Sequence, residues 1–275
     1  MVLPGEVGDA AEDCDSARVL AWLDAGGDVN DVDQDGYTLI HCCAMGDPDS
    51  EGEIFDGHVS LARTLIALGA DVNLGDSSHC RNTPLQTALK NAGRGGAWLD
   101  MIKLLLNAKA NPNARDSLND TPLASALRID RFATFDPPLG RGQGPISPQT
   151  SGSLIALRVL LRAGASLDVN ETAPYGLRTA EGIVRHHYDQ HDSRGTYVGD
   201  SDKEYVVAIK SLVAGVRQHG TYKRHMRAPH RDVLAVRGLA QRGKLRTDHP
   251  VLAFLAKQGD NGVCWHILTY WRATD

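Results

Sequence analysis

Two stretches of the chain place ligand-type residues at a spacing that chemistry could use. Asp47-x-Asp49-x-Glu51-Gly52-x-Ile54 sets acidic oxygens at the first, third and fifth positions of a calcium-binding loop, followed by the turn glycine and the aliphatic residue such a loop needs. Its last ligand position falls on His58, where calcium requires a bidentate carboxylate, so a solvated acidic loop is expected instead. Arg185-His186-His187-Tyr188-Asp189-Gln190-His191-Asp192 is the second stretch. His187 and His191 are one helical turn apart and would share a face, as a pair of zinc ligands does. No Cys or Glu stands beside them to complete a set, so a polar helix end running into an insertion is expected. Neither a metal nor a cofactor is predicted.

Catalytic patterns are missing too. The chain has no G-x-S-x-G and no H-E-x-x-H. Gly140-Arg141-Gly142-Gln143-Gly144 has neither a strand before it nor a helix start after it, so it reads as a loop and not as a phosphate cradle. The chain is read as a non-enzyme.

The elements that would position any site come from a sentence written four times. In Gly57–Asn73, residues Val59, Ala62, Leu65, Ile66 and Gly69 fall at helical spacing, so one face of a short helix is apolar. Gly69 stops that helix because glycine enters the left-handed region cheaply. Arg18–Asn30, Met101–Asn113 and Leu157–Asp168 repeat the pattern. Before each of the later copies lies a shorter apolar helix: Thr38–Ala44, Thr83–Leu89 and Thr121–Leu127. Pro84 and Pro122 sit in a first helical turn, where a missing N–H costs nothing. Gly176–Val184 and Tyr205–Val213 read as a degenerate fifth pair. Ser16 is the expected cap of the first long helix, and Glu6–Asp13 is expected to hold its weak partner.

Asp35-Gly36-Tyr37-Thr38-Leu39-Ile40-His41-Cys42-Cys43-Ala44, followed by Gly57-His58 and Gly69-Ala70-Asp71-Val72-Asn73, resembles the ankyrin repeat. The resemblance covers about residues 15–215 and implies an all-α solenoid of about five units, each an inner helix, an outer helix and a projecting hairpin. It makes Thr38 a cap, Ile40 a core residue and Cys43 a buried stand-in for alanine. Gln86 and Ala124 replace the motif histidine, so those units are expected to lack its hydrogen bonds. Asn30, Asn73, Asn113 and Asp168 hold equivalent turn positions at separations of 43, 40 and 55 residues, so sequence is inserted within the units. The insertions are Asp47–Asp56, Ile129–Ser153 and His186–Ser201, and the second, rich in Pro and Gly, is too poor in apolar residues to order itself.

The solenoid is expected over residues 1–220 and a small helical module over 221–275. Thr221–Pro229 reads as a basic link, followed by three short helices at Arg231–Arg242, Pro250–Gln258 and Val263–Arg272. The last contains Trp265-His266-Ile267-Leu268-Thr269-Tyr270-Trp271-Arg272, which is similar to the ending of ankyrin proteins of unicellular algae; that likeness implies an architecture and no activity. Trp265, Leu268 and Trp271 are expected either to cap the last repeat, against Val207, Leu212 and Val213, or to dock a partner.

Charge separates along the chain. Of 29 Lys and Arg and 34 Asp and Glu, residues 201–275 hold 13 and 6, leaving 16 and 28 to residues 1–200. The acidic repeats disfavour nucleic acid. No apolar run is long enough to span a bilayer, so no membrane partner is expected. Five cysteines without a C-x-x-C suit a reducing compartment, and an intracellular place is expected, the cytoplasm ahead of the nucleus.

Ankyrin repeats bind proteins through hairpin tips and the exposed face of the inner helices. Aligned residue by residue, the resemblance puts that surface at Gln34, Asp35, Tyr37 and Met45, then His79, Cys80, Asn82, Lys90 and Asn91, then Ser117, Leu118, Asp120 and Arg128. Asp31, Asp33 and Asp35 make the first tip acidic, which favours a partner with a basic patch. The expected function is a non-enzymatic scaffold for another protein. The alternatives are a substrate adaptor for a ubiquitin ligase, recruiting it through the C-terminal helices, and a structural subunit of a larger assembly.

Overall fold

The fold comes from a computed structural model that describes residues 2–47, 53–77, 80–90, 97–127, 152–169, 179–185 and 202–242. Among these it is helical, with isolated β-bridges at Val32–Thr38, Asp47–Glu53 and Asp168–Thr179 and no named strand. The chain divides into two compact units, Met1–Ala214 and Gly215–Asp275.

In the first unit, inner helices α1 (Gly5–Glu12), α3 (Leu39–Met45), α5 (Pro84–Lys90), α7 (Pro122–Ala126) and α9 (Ala180–Val184) alternate with outer helices α2 (Ser16–Asp24), α4 (Asp56–Ala67), α6 (Trp98–Asn107) and α8 (Gly152–Arg162), and α10 (Asp202–His219) follows. Each inner helix packs on the next, α1 on α3, α3 on α5, α5 on α7 and α7 on α9, and each of the first four packs on the outer helix that follows it. The core is therefore a continuous strip and not a centre. Leu39, Leu61, Leu65, Leu85, Ile102, Leu105, Leu123 and Leu160 along it are fully buried. Cys43 is fully buried among them, and burial pushes its thiol and that of Cys42 well above the ordinary range, so both stay protonated packing residues.

Outer helices stop in the same way each time. Gly26, Gly69 and Gly164 have φ of +99°, +98° and +97° with nothing near a built Cβ, so the backbone angle and not crowding demands glycine there. Lys109 holds the equivalent place after α6 at φ +71°.

The turns beyond are stitched by asparagine. Asn30 Nδ2 donates to the Gly69 carbonyl at 3.2 Å while its Oδ1 accepts from Asp71 N–H at 2.7 Å. Asn73 treats Lys109 and Asn111 alike, at 3.2 and 2.7 Å, and Asn113 treats Gly164 and Ser166 alike, again at 3.2 and 2.7 Å. The unequal separations of these residues in sequence leave no trace in the geometry, because the extra residues leave the turns untouched.

Two local expectations are corrected. The cap of α2 is Asp15 and not Ser16: its carboxylate accepts from Arg18 N–H at 3.1 Å, and a negative charge at a helix start suits the dipole. Thr221–Pro229 is not a link. Gly220 (φ +79°) ends α10, Thr221 Oγ1 accepts from Arg224 N–H at 3.2 Å, and α11 (Tyr222–Gln241) runs on through Pro229. Lys223, Arg224, Met226, Arg227 and Ala228 are strong helix formers, and they carry the helix through Pro229. The division between the two compact units lies within α10.

The insertions' interiors, the expected helices at Pro250–Gln258 and Val263–Arg272, and His186, His187 and His191 lie outside the described residues. No described helix is long and apolar enough to cross a membrane.

Candidate protein-interaction surface

Among the described residues three hairpins project between the outer helix of one unit and the inner helix of the next, and an aspartate organises each. Asp33 N–H donates to the Tyr37 carbonyl at 2.9 Å, and Asp33 Oδ1 takes the N–H groups of Asp35 and Tyr37 at 3.0 and 2.8 Å. Asp116 repeats this with Asp120, and its Oδ1 takes Leu118 and Asp120 N–H, both at 2.9 Å. Asp76 spans a longer hairpin: its N–H reaches the Asn82 carbonyl at 2.8 Å and its Oδ2 takes Asn82 N–H at 2.9 Å. Local carboxylate–backbone bonds of this kind hold a loop in one shape without a sheet.

The hairpins are tied side by side. Ser77 N–H donates to the Gly36 carbonyl at 2.9 Å, and Ser117 N–H to the Cys80 carbonyl at 2.8 Å. The approach at Gly36 is close enough that a Cβ would stand 2.7 Å from Ser77 backbone atoms, and its φ is +86°. Gly36 is thus needed for angle and for space.

The bases of the second and third hairpins are also fixed from the unit before. Thr38 caps α3, and its N–H and hydroxyl lie 3.3 and 2.8 Å from His41 Nδ1. His41 Nε2 then reaches the Asn82 carbonyl at 3.0 Å. Burial holds His41 below the usual imidazole range, so the ring is neutral, with Nδ1 accepting and Nε2–H donating. The expectation that Gln86 lacks this bonding is wrong. Gln86 Oε1 accepts from Thr83 N–H and hydroxyl at 3.0 and 3.2 Å, and Nε2 donates to the Asp120 carbonyl at 2.9 Å. A side-chain amide offers the same acceptor and donor as a neutral imidazole, and it spans the same gap.

The histidine that ended the calcium-loop reading is structural. His58 is fully buried; its Nδ1 accepts from Phe55 N–H at 3.0 Å, and Nε2 lies 2.6 Å from the Glu12 carbonyl at the end of α1. Both nitrogens are used. Asp47 N–H donates to the Glu53 carbonyl at 3.0 Å across the base of that insertion, and residues 48–52 lie outside the described residues.

The expected surface residues fall into three groups. Gln34, Asp35, Lys90, Ser117 and Leu118 are exposed, Leu118 by 68%, and Tyr37, Met45 and Cys80 are half-buried. Asn82 and Asp120 are corrections: each is 7% exposed and turned into its hairpin, Asn82 Nδ2 to Asp76 Oδ2 at 3.2 Å, and Asp120 closing on Asp116. Their motif place is at a tip, but a buried polar side chain there serves the loop. His79, Asn91 and Arg128, with Trp265, Leu268 and Trp271, lie outside the described residues.

Residues 8–116 match the family described as ankyrin repeats, in three copies. The units within residues 8–116 are ankyrin repeats. The matched span runs from α1 to the start of the third hairpin; α7 with α8 continues the same packing beyond it, and the Asn113 bonds continue the same stitching. No curated protein matches the chain. Ankyrin repeats mediate contacts between proteins.

Sequence reasoning missed Arg81 and Arg115. Both are exposed, Arg81 in the left-handed region at φ +52° beside the second tip, and Arg115 at the third, where it donates to the Asn119 carbonyl at 3.2 Å. With Lys90, whose ammonium meets Asn82 Oδ1 at 2.7 Å, they set cations beside Asp76, Asp116 and Asp120 of the later hairpins. The signal was available in the residue types, but the motif alignment passed over these positions. On the outer face, α4 and α6 border a shallow groove of about 350 Å³ lined by Asp56, Val59, Arg63, Asp100 and Lys103, where Lys103 already pairs with Asp100 at 3.1 Å.

Proposed function

We propose that the chain is a non-enzymatic scaffold that holds another protein along its hairpin tips. The observation that carries this reading is Leu118, a leucine 68% exposed at the tip of a hairpin held by Asp116 and by its neighbour's carbonyl. A pre-ordered apolar side chain at a tip is the kind of anchor an interface centre uses. Charge along the row sets the partner's chemistry. Asp31, Asp33 and Asp35 at the first tip favour a partner with a basic patch, while at the later tips Arg81, Lys90 and Arg115 are balanced by Asp76, Asp116 and Asp120.

The test is affinity capture with the full chain against a double variant, Asp35→Arg with Leu118→Asp, whose sites leave the hairpin bonds in place. Proteins retained by the parent and lost by the variant support the reading; an identical set from both overturns it. Identification of the retained proteins separates the roles: ligase subunits for an adaptor, one client for a scaffold, fixed-stoichiometry neighbours for a structural subunit.

A further inference from the structure

The corner between α10 and α11 packs two histidines against each other. The ring centroids of His219 and His225 are 5.5 Å apart and inclined at 45°. His219 Nδ1 lies 2.7 Å from the Gly215 carbonyl, and a carbonyl only accepts, so Nδ1 carries a proton. His225 is seated over Gly215, where a side chain would collide with its ring. Glycine disfavours a helix interior, and here its missing side chain makes the seat. In that seat His225 Nδ1 is buried and has no hydrogen-bond partner. A neutral ring accommodates this by keeping its proton on Nε2 and a bare lone pair at Nδ1.

We propose that the His219–His225 pair makes this corner a pH-responsive joint, closed while both rings are neutral and loosened when His225 takes a second proton. That proton goes to Nδ1, so a charged donor would be buried without an acceptor. The titratable and charged groups at the corner are Arg217 and His219 in the last turn of α10 and Tyr222, Lys223, Arg224 and Arg227 at the start of α11, and neither stretch holds an acid. The start of α11 is also the positive end of that helix's dipole. A protonated His225 therefore faces like charge, and leaving the seat for water relieves it. Burial first, and then the charge of His219, hold His225 below the ordinary imidazole value of 6.5. The open corner binds the proton more tightly than the closed one, so closure is fully favoured above that value and weakens as pH falls through it. Packing alone does not call for histidine here, because phenylalanine would fill the seat without a titrating nitrogen.

The test uses the full chain. Hydrogen exchange of the backbone amides of residues 215–226, corrected for the intrinsic effect of pH on exchange, reports opening of the corner. Between pH 7.5 and pH 5.5 it should rise by up to about tenfold, the ratio that an open-state imidazole of ordinary value 6.5 allows. His225→Phe should abolish that rise. Titration of the histidine ring protons by NMR in the unsubstituted chain reads the group directly and does not depend on the variant folding; His225 should titrate below 6.5. Exchange that does not change with pH, a rise that persists in His225→Phe, or a His225 ring that titrates at or above 6.5 overturns the joint.

Discussion

Gln86 donates its side-chain amide to the Asp120 carbonyl at 2.9 Å, the bond that His41 makes to Asn82 at 3.0 Å one unit earlier. The same side chain accepts from Thr83 N–H at its other end, so one residue closes a helix cap and fixes the next hairpin. Gln86→Ala leaves a buried donor and a buried acceptor unpaired and should cost about 1–3 kcal/mol. Gln86→His should restore the bond and stay within about 1 kcal/mol of the parent. Urea denaturation of the two variants measures the difference; equal losses would mean that the bond contributes nothing beyond packing.

Lys109 stands where three other units have glycine, at φ +71°. A left-handed conformation costs an ordinary residue about 1–2 kcal/mol, and part of that returns as glycine's extra unfolded entropy. Lys109→Gly should therefore raise stability by about 0.5–1 kcal/mol, and Gly69→Ala should lower it by a similar amount. A melting temperature that falls in Lys109→Gly would show that the lysine side chain holds the turn in some other way.

These cases show what the sequence could and could not carry. The stack was legible because its physics is local and repeated: an apolar helix face, a glycine stop and an asparagine turn recur in register through unequal insertions. Gln86 was misread because a motif compares letters, whereas the bond needs only an acceptor and a donor at the right reach. Asn82 and Asp120 were misplaced for a related reason. Alignment puts them at tips, but each closes its own hairpin and is buried there, Asn82 Nδ2 on Asp76 Oδ2 and Asp120 N–H on Asp116 Oδ1. Thr221–Pro229 reads as a basic link from its charge, although Lys223, Arg224, Met226, Arg227 and Ala228 are strong helix formers.

Glu12 gives the array a pH dependence. Burial first, then the nearby carboxylates of Asp9, Asp33 and Asp13, push its carboxyl up to about 7, against a contrary hydrogen bond from Cys42. A folded-state value above the unfolded 4.5 means that the native state binds the proton more tightly. The associated stability is complete below about pH 4.5 and is lost as pH rises through about 7. Glu12→Gln removes the ionisation and keeps the backbone carbonyl that His58 uses. Its melting temperature should exceed the parent's at pH 8 and approach it at pH 5; a constant gap across that range would contradict the assignment.

Leu65 and Leu105 are both fully buried on outer helices α4 and α6. Either one changed to Ala should cost about 2–5 kcal/mol in chemical denaturation. A loss below about 1 kcal/mol at both would show that the outer helices contribute little to the strip of core.

The central claim is that a partner lies along the hairpin tips. A photo-crosslinking amino acid at position 118 tests it against the same group at position 63, which is exposed on α4 beside the outer groove. Illumination during capture should trap a discrete protein from position 118, lost when Asp35→Arg is added, and none from position 63. Crosslinks from position 63 with none from position 118 would place the partner on the outer helices and contradict the account.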